Sequence, residues 1–329
     1  MKQKLTATVP AKWLLPLILT VLLVTLTILE NFIFSEDASA NPDSQGTAIY
    51  SPPPYFLEIQ EEVTVVKDLV YSDSDHARLD IYRPADMTEN LPLVLWIHGG
   101  GYVGGSKDTR QDYAMALAHE GYVVANIDYA LAPEQLYPGP IFQANEALAF
   151  LEQYAHLYRA DFSHIFFGGD SAGAQIASHL AAAVSNEELA TDMEFLPAIA
   201  ADNVRGVLLM CGLYNMDTVR ATGFQNIDTF LSAYTGTVPF ESFEHIDQLS
   251  TVQHITEDYP PAFITVGDAD PFVSQSKELV AALEAENVAV DTLFFNGKGL
   301  LHEYQYSLHT EEAQLAFEWM IAFMDANSR

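Results

Sequence analysis

The 329-residue sequence has a single cysteine, Cys211, so it forms no intrachain disulfide and no CxxC zinc or redox site. Positive charge is also scarce: 14 Lys and Arg stand against 45 Asp and Glu, a formal net charge of −31. Without a basic stripe the chain cannot hold a DNA or RNA backbone, and anionic partners in general are repelled. Large apolar residues are plentiful, since 49% of the chain is hydrophobic, and this excludes disorder.

The first 40 residues predict a targeting element instead of a part of the fold. Three lysines and no acid precede an apolar run from Trp13 to Leu29, and this polarity leaves the N-terminus inside and the remainder outside. Ala38-Ser39-Ala40 matches a small-x-small cleavage site and favours a signal peptide and a secreted protein. The length of the run favours an uncleaved transmembrane anchor. Both alternatives predict an extracytoplasmic protein, with no membrane contact except that anchor.

The rest of the chain divides into an arm and one large domain. Residues 41–61 contain a Pro run and indicate a linker or arm. Over 62–329, strand-like and helix-like patterns alternate, and two early strands predict a hairpin. Apolar runs such as Leu93–Ile97 are typical of strands buried on both faces, so we expect an α/β domain with a mostly parallel, doubly wound sheet. The interval 212–261 breaks this rhythm, and its length and aromatic content predict a small inserted helical cap.

A G-x-S-x-G motif follows the predicted strand Ile165–Phe167 and opens a predicted helix; it reads Gly169-Asp170-Ser171-Ala172-Gly173. The two outer glycines allow a sharp strand-to-helix turn that pushes the Ser171 hydroxyl out at the carboxyl end of the sheet. The helix N-terminus favours negative charge nearby, so the Ala172 amide can stabilise an oxyanion. This context indicates that Ser171 is a nucleophile.

A second glycine-rich segment, His98-Gly99-Gly100-Gly101, follows another buried strand. Backbone amides in such a loop can hold the oxyanion of acyl transfer, and Gly99 and Gly100 are the predicted donors, with Gly101 as a further candidate. The same run fits the dinucleotide pattern G-x-G-x-x-G, with Asp128 at the position of a ribose-binding acid. That alternative requires a helix to open at the last glycine, whereas the next helical pattern begins near residue 113.

The two motifs together resemble the hormone-sensitive-lipase-like esterase branch of the α/β-hydrolase superfamily. The segment from Asp128 to Glu134, DYALAPE, is similar to the D-Y-R-L-A-P-E segment of that branch, and Asp270-Pro271-Phe272 is similar to its D-P-L segment. The resemblance spans residues 93–302. It implies a carboxylesterase-type serine hydrolase with a Ser-His-Asp triad, an acyl-enzyme intermediate, a small-molecule ester substrate, and no metal or organic cofactor. The chain departs from the branch at His302-Glu303-Tyr304, where His-Gly-Phe is usual.

The resemblance assigns Asp270 as the triad acid, with Asp268 on the same loop as the alternative. Because the chain order Ser…Asp…His requires a histidine after the acid, only His302 and His309 qualify as the base. His302 follows the last predicted strand and is the predicted base, whereas His309 stands just before the final helix. In this scheme His302 takes the proton of Ser171 while the acid orients the imidazole.

The esterase branch usually builds its cap from two helices before the first strand, and here only residues 41–61 are available for them. Set against that resemblance, the chain is expected to have a more open site that prefers short-acyl or bulky-alcohol esters, such as acetyl or feruloyl esters, over long-chain lipids. Two other functions remain alternatives. The same triad can serve an amidase or peptidase, and the fold can persist in a catalytically silent binding protein. The acidic surface further predicts a protein whose behaviour depends on salt.

Overall fold

The computed structural model describes residues 50–328 with the exception of residue 75. The predicted targeting element over residues 1–40 and the first part of the predicted arm lie outside this range. Among the helices of the described residues, none combines the length and the hydropathy that crossing a membrane requires.

One sheet runs through the described residues in the strand order β1-β2-β4-β3-β5-β6-β7-β8. The strands are Val63–Val70 (β1), Arg78–Pro84 (β2), Leu91–Ile97 (β3), Val123–Ile127 (β4), Ala160–Asp170 (β5), Val204–Met210 (β6), Ala262–Val266 (β7) and Val290–Phe294 (β8). β1 and β2 form the predicted antiparallel hairpin, and β2 pairs antiparallel with β4. All other neighbours are parallel, which confirms the predicted mostly parallel sheet.

Helices cover both faces of this sheet. The α-helices of the described residues are Phe56–Glu62 (α1), Gln111–His119 (α2), Gly139–Tyr158 (α3), Ala172–Ser185 (α4), Glu187–Asp192 (α5), Ile227–Thr235 (α6), Ile246–Leu249 (α7), Val273–Ala285 (α8) and Glu311–Asn327 (α9). Alternate residues of β3 supply two cores: Leu95 packs with α3, α4 and α8, and Trp96 packs with α2 and α9. Burial on both faces explains the unbroken apolar runs of the central strands.

The interval predicted as a cap, 212–261, contains α6, α7 and short 3₁₀ turns between β6 and β7. In α6 of this cap, the ring of Tyr234 stacks on the ring of Tyr102 in the glycine-rich loop, and the two ring centroids are 3.8 Å apart. The Tyr137 amide donates to the Tyr234 carbonyl at 2.9 Å, which ties the same helix to the segment before α3. The cap therefore lies against the loop that follows β3.

The arm is shorter than predicted, because α1 begins at Phe56 and buries Ile59 against the core that contains α2 and α9. Before this helix, Ser51 forms a parallel bridge with Ser307, so the arm runs beside the segment that follows the last strand. The sequence did not predict this packing of the arm, because a run of prolines is typical of linkers.

Candidate active site

Ser171 stands at a tight turn between β5 and α4, in the strained conformation that the motif predicts. Its φ is +50°, which a residue with a side chain adopts only when its surroundings fix it. A Cβ on Gly169 would lie 2.6 Å from the Ile97 carbonyl oxygen, and a Cβ on Gly173 would lie 2.1 Å from the same atom. Both glycines are therefore required because the turn packs directly against the end of β3.

The structure brings three predicted residues, Ser171, His302 and Asp270, into one hydrogen-bonded chain. His302 Nε2 lies 3.1 Å from Ser171 Oγ, and His302 Nδ1 lies 2.7 Å from Asp270 Oδ2. The other carboxylate oxygen of Asp270 accepts the Phe272 amide at 2.8 Å. All three of these hydrogen-bonded residues are buried. Both oxygens of Asp270 are thus engaged, which fixes the imidazole in one orientation.

The alternative acid and base occupy other positions. Asp268 accepts the backbone amides of Lys298, Gly299 and Leu300, and these bonds close the loop before His302. His309 is exposed and hydrogen-bonds the Ser51 hydroxyl of the arm. Neither side chain belongs to the chain of hydrogen bonds that reaches Ser171.

Apolar and charged neighbours tune the imidazole of His302. Burial by itself lowers the pKa of His302, but Cys211 and Asp270 beside the ring raise it above its ordinary value. Phe224 and Phe272 form T-shaped contacts with the ring, with centroids 5.3 and 5.5 Å away. An imidazolium formed at this position is therefore stabilised by a carboxylate and shielded from water.

Cys211, Asp270 and His302 also form a cluster whose donor atoms lie within 4.8 Å of one another. Donors of these types can hold a metal ion. In this cluster, however, Nδ1 of His302 already bonds Asp270, and Nε2 faces Ser171. Both ring nitrogens are therefore already engaged by protein groups. Cys211 itself lies directly after β6 and is fully buried, as a small apolar residue often is.

A cavity of about 300 Å³ opens above Ser171 and His302. Gly100, Gly101 and Ala172 line it, whereas Gly99 faces the Asp170 carboxylate behind the loop. Ala172 is the first residue of α4, so its N–H has no partner within the helix. Most of the remaining wall is apolar and comes from Phe272 and from the cap residues Leu213, Phe224, Ile227 and Phe230. Tyr50, Tyr102 and Glu303 complete the lining.

The contacts of His98 and Asp128 account for the dinucleotide-like pattern without a nucleotide. His98 donates from Nδ1 to the Gly99 carbonyl at 2.7 Å and stacks on Tyr129, and burial lowers its pKa to about 4. Asp128 accepts the Lys107 amide at 2.7 Å, and the next α-helix begins only at residue 111. A neutral, stacked imidazole braces the loop, and Asp128 holds the segment that follows it.

Arg110 is the main residue of the site that sequence reasoning missed. Its buried guanidinium binds Asp170 through Nε at 3.1 Å and Nη2 at 2.6 Å, and Nη2 also lies 3.2 Å from Glu303 Oε1. Tyr306 donates to the same Asp170 carboxylate at 2.6 Å. The partners of Arg110 are 60 and 193 positions away, so no local pattern announces the network.

The two acids of this network differ in pKa. Burial alone would raise the pKa of Asp170, but the Arg110 guanidinium and the Tyr306 hydroxyl hold it below its ordinary value. Burial raises the pKa of Glu303 to about 8. Asp170 takes the shorter bond of the shared guanidinium, 2.6 Å against 3.2 Å for Glu303. The only sequence signal for this site is the acid that replaces the usual glycine after His302.

The sequence profile of the BD-FAE family matches residues 79–283, more than half of the chain. The chain belongs to the BD-FAE family. Acetyl esterases of Salmonella schwarzengrund and Salmonella typhi are 27% and 29% identical to this BD-FAE chain over 235 residues, which cover 68% of this chain and 68% of each relative.

Solved structures give the same fold for this BD-FAE chain. Esterase B from Lactobacillus rhamnosis aligns over 94% of this chain and 96% of its own with a TM-score of 0.76 at 23% identity. A hyperthermophilic esterase from Pyrobaculum calidifontis aligns over 83% and 89% with a TM-score of 0.66 at 22% identity. The resemblance to the α/β-hydrolase superfamily is confirmed, and the chain is a hydrolase of the carboxylesterase type.

Proposed function

We propose that the chain is a serine carboxylesterase whose catalytic triad is Ser171, His302 and Asp270. The observation that carries this proposal is the pair of hydrogen bonds, 2.7 and 3.1 Å long, that links Asp270 through His302 to the Ser171 hydroxyl at the floor of the cavity. A nucleophile, a base and an orienting acid in hydrogen-bond contact are the arrangement that acyl transfer requires.

The reaction follows from this geometry. His302 Nε2 accepts the Ser171 proton as Oγ attacks the ester carbonyl, and Asp270 stabilises the imidazolium that forms. The oxyanion is held by the amides of Ala172, Gly100 and Gly101; Gly101 replaces the predicted Gly99 because it lines the cavity. His302 then gives its proton to the leaving alcohol, and water hydrolyses the acyl-enzyme by the same route.

The substrate is a short-acyl ester. The cavity of about 300 Å³ is closed on the cap side by Phe224, Ile227 and Phe230, so a long acyl chain has little room. The Salmonella relatives, which are acetyl esterases, support the same size class.

The site of action is extracytoplasmic. In residues 1–40 the lysines precede the apolar run, and this order of charge and apolar residues predicts that the rest of the chain lies outside the cytoplasm. Fractionation of the native host with an antibody to the chain tests this location. Activity confined to the soluble cytoplasm would contradict it, whereas a membrane or culture-fluid location would support an anchor or a cleaved signal, respectively.

Initial rates on p-nitrophenyl acetate, butyrate, octanoate and palmitate test the function, with full-length wild type, Ser171→Ala and the surface control Ser163→Ala. We expect turnover that peaks at acetate or butyrate, persists in Ser163→Ala and is lost in Ser171→Ala. Turnover retained by Ser171→Ala would overturn the triad, and a maximum at palmitate would overturn the substrate class. Faster cleavage of p-nitroacetanilide than of p-nitrophenyl acetate would point to an amidase.

A further inference from the structure

One buried guanidinium connects the chain neighbours of two triad residues. Asp170 immediately precedes Ser171, and Glu303 immediately follows His302. Arg110 binds Asp170 in a bidentate pair and Glu303 through Nη2, with 5% of its surface exposed. A planar guanidinium presents several donors in fixed directions, so it holds both carboxyl groups at a set separation.

Both triad neighbourhoods need such support, because each contains a residue with a positive φ and a side chain. Ser171 has a φ of +50° and Glu303 has a φ of +60°. Glycine adopts these angles without penalty, and the esterase branch has glycine at the second position. Residues with side chains keep them only where the surroundings fix the backbone. At Glu303 that surrounding group is Arg110.

Aromatic rings hold the guanidinium itself in place. Arg110 Cζ lies 4.4 Å from the centroid of the Tyr306 ring and 4.8 Å from that of Tyr50. Tyr306 also donates to Asp170, so ring and carboxylate constrain the same group. Cation–π contacts in a buried setting are among the stronger ones of their kind.

We propose that Arg110 is a positioning residue of this hydrolase, which sets the separation of the Ser171 hydroxyl and the His302 imidazole through Asp170 and Glu303. This inference rests on the proposed triad. Arg110 touches no reacting atom; it acts on the backbone at the nucleophile and at the base. In this chain the Arg110–Glu303 contact takes over the conformational role of the glycine that usually follows the base.

Arg110→Lys tests this role while keeping the positive charge that Asp170 requires. A lysine interacts with the Asp170 carboxylate as a point charge and cannot span Asp170 and Glu303. Active sites are counted with a fluorophosphonate probe, so that kcat on p-nitrophenyl acetate refers to folded, reactive enzyme. We expect a loss in kcat of about 10- to 100-fold with KM changed by less than about 3-fold, because misplaced reacting groups lower the rate of the chemical step.

A double-mutant cycle with Glu303→Gly separates positioning from general stability. Glycine removes the strain at position 303, so we expect Arg110→Lys to lower kcat at least about 3-fold less in the Glu303→Gly background than in wild type. Equal losses in both backgrounds, or an unchanged kcat per titrated site, would overturn the proposal. The matched control is Arg205→Lys, whose side chain donates to the Ser163 carbonyl near the start of β5, at the other end of that strand from Ser171.

The outcome for Arg110 is separable from the outcome for the triad. If Ser171→Ala retains turnover, the proposed function fails. If Ser171→Ala is inactive and Arg110→Lys keeps its kcat per titrated site, only the positioning role fails. The His302 Nδ1 proton gives a second readout by NMR, and we expect its downfield resonance to shift in Arg110→Lys and to stay in place in Arg205→Lys.

Discussion

At the scale of the single residue, Glu303 makes folding sensitive to pH. Burial raises its pKa to about 8 from an ordinary 4.5. The unfolded chain therefore releases this proton near pH 4.5, while the folded chain keeps it up to about pH 8. The stability present below pH 4.5 is lost as the pH rises through this window, by about 5 kcal/mol at most, and the Arg110 contact reduces the loss.

Glu303→Gln removes this titration and keeps an acceptor for Arg110. We expect wild type and variant to have similar free energies of unfolding at about pH 4.5, and the variant to be more stable at about pH 8. Urea unfolding at several pH values between these limits measures the difference. Parallel stability curves for the two proteins would show that Glu303 ionises normally in the folded state.

The glycines around Ser171 give a second prediction at this scale. A Cβ at Gly173 would lie 2.1 Å from the Ile97 carbonyl oxygen and 2.5 Å from that of His98, and backbone atoms cannot yield as a flexible side chain does. We expect Gly173→Ala to lose about 2 kcal/mol or more of stability together with esterase activity. In the control Gly104→Ala, the nearest atom is 3.7 Å away, so thermal unfolding should change little. Equal melting temperatures for both variants would contradict the close approach.

At the scale of the element, the cap sets the size of the cavity. Phe230 on α6 lines the cavity and packs against Gly101, where a Cβ would lie 2.8 Å from its ring. We expect Phe230→Ala to raise the octanoate-to-acetate ratio of kcat/KM several-fold, because it opens the apolar wall to longer acyl chains. The control is Phe243→Ala, which removes another cap ring that does not line the cavity. An unchanged ratio in Phe230→Ala would mean that the acyl chain lies elsewhere.

Strands were predictable from the sequence where their apolar pattern covers most of the strand. The apolar run Leu93–Ile97 was predicted as a strand buried on both faces, and β3 covers it with two more residues at its start. β5 begins five residues earlier than predicted, at Ala160, because polar residues of the sheet edge carry no apolar signal. The Pro run before α1 concealed an arm whose Tyr50 reaches the cavity. Pattern within a segment cannot reveal what that segment packs against.

For the site residues, too, local motifs were predictable and contacts between distant segments were not. The motif around Ser171 and the chain order predicted which serine, acid and histidine meet in the structure. The choice between Gly99 and Gly101 depended on which way each glycine of the loop faces, and three glycines in succession give no such information. Sequence patterns did not indicate Arg110, because its contacts are with two acidic side chains that only the finished fold brings together.

At the scale of the whole molecule, the main feature is the excess of acidic over basic side chains. Residues 1–40 contain as many lysines as acids, so the −31 charge belongs to the part beyond them. Two of the few cations, Lys107 and Arg110, are buried and paired, and they do not offset the exposed acids. Mutual repulsion among exposed carboxylates destabilises the compact state, and dissolved salt screens it.

We therefore expect the melting temperature to rise by about 5 °C or more between about 0.05 M and 1 M NaCl, most of it below about 0.5 M, where screening already shortens the Debye length to a few ångströms. Glu284→Lys with Glu286→Lys raises the net charge by four units on an exposed helix end. This variant should melt higher than wild type at low salt and gain less from added salt, because less repulsion remains to be screened. A rise that is linear in salt and is matched by sucrose would instead reflect exclusion of solute from the surface, and would contradict charge repulsion as the cause.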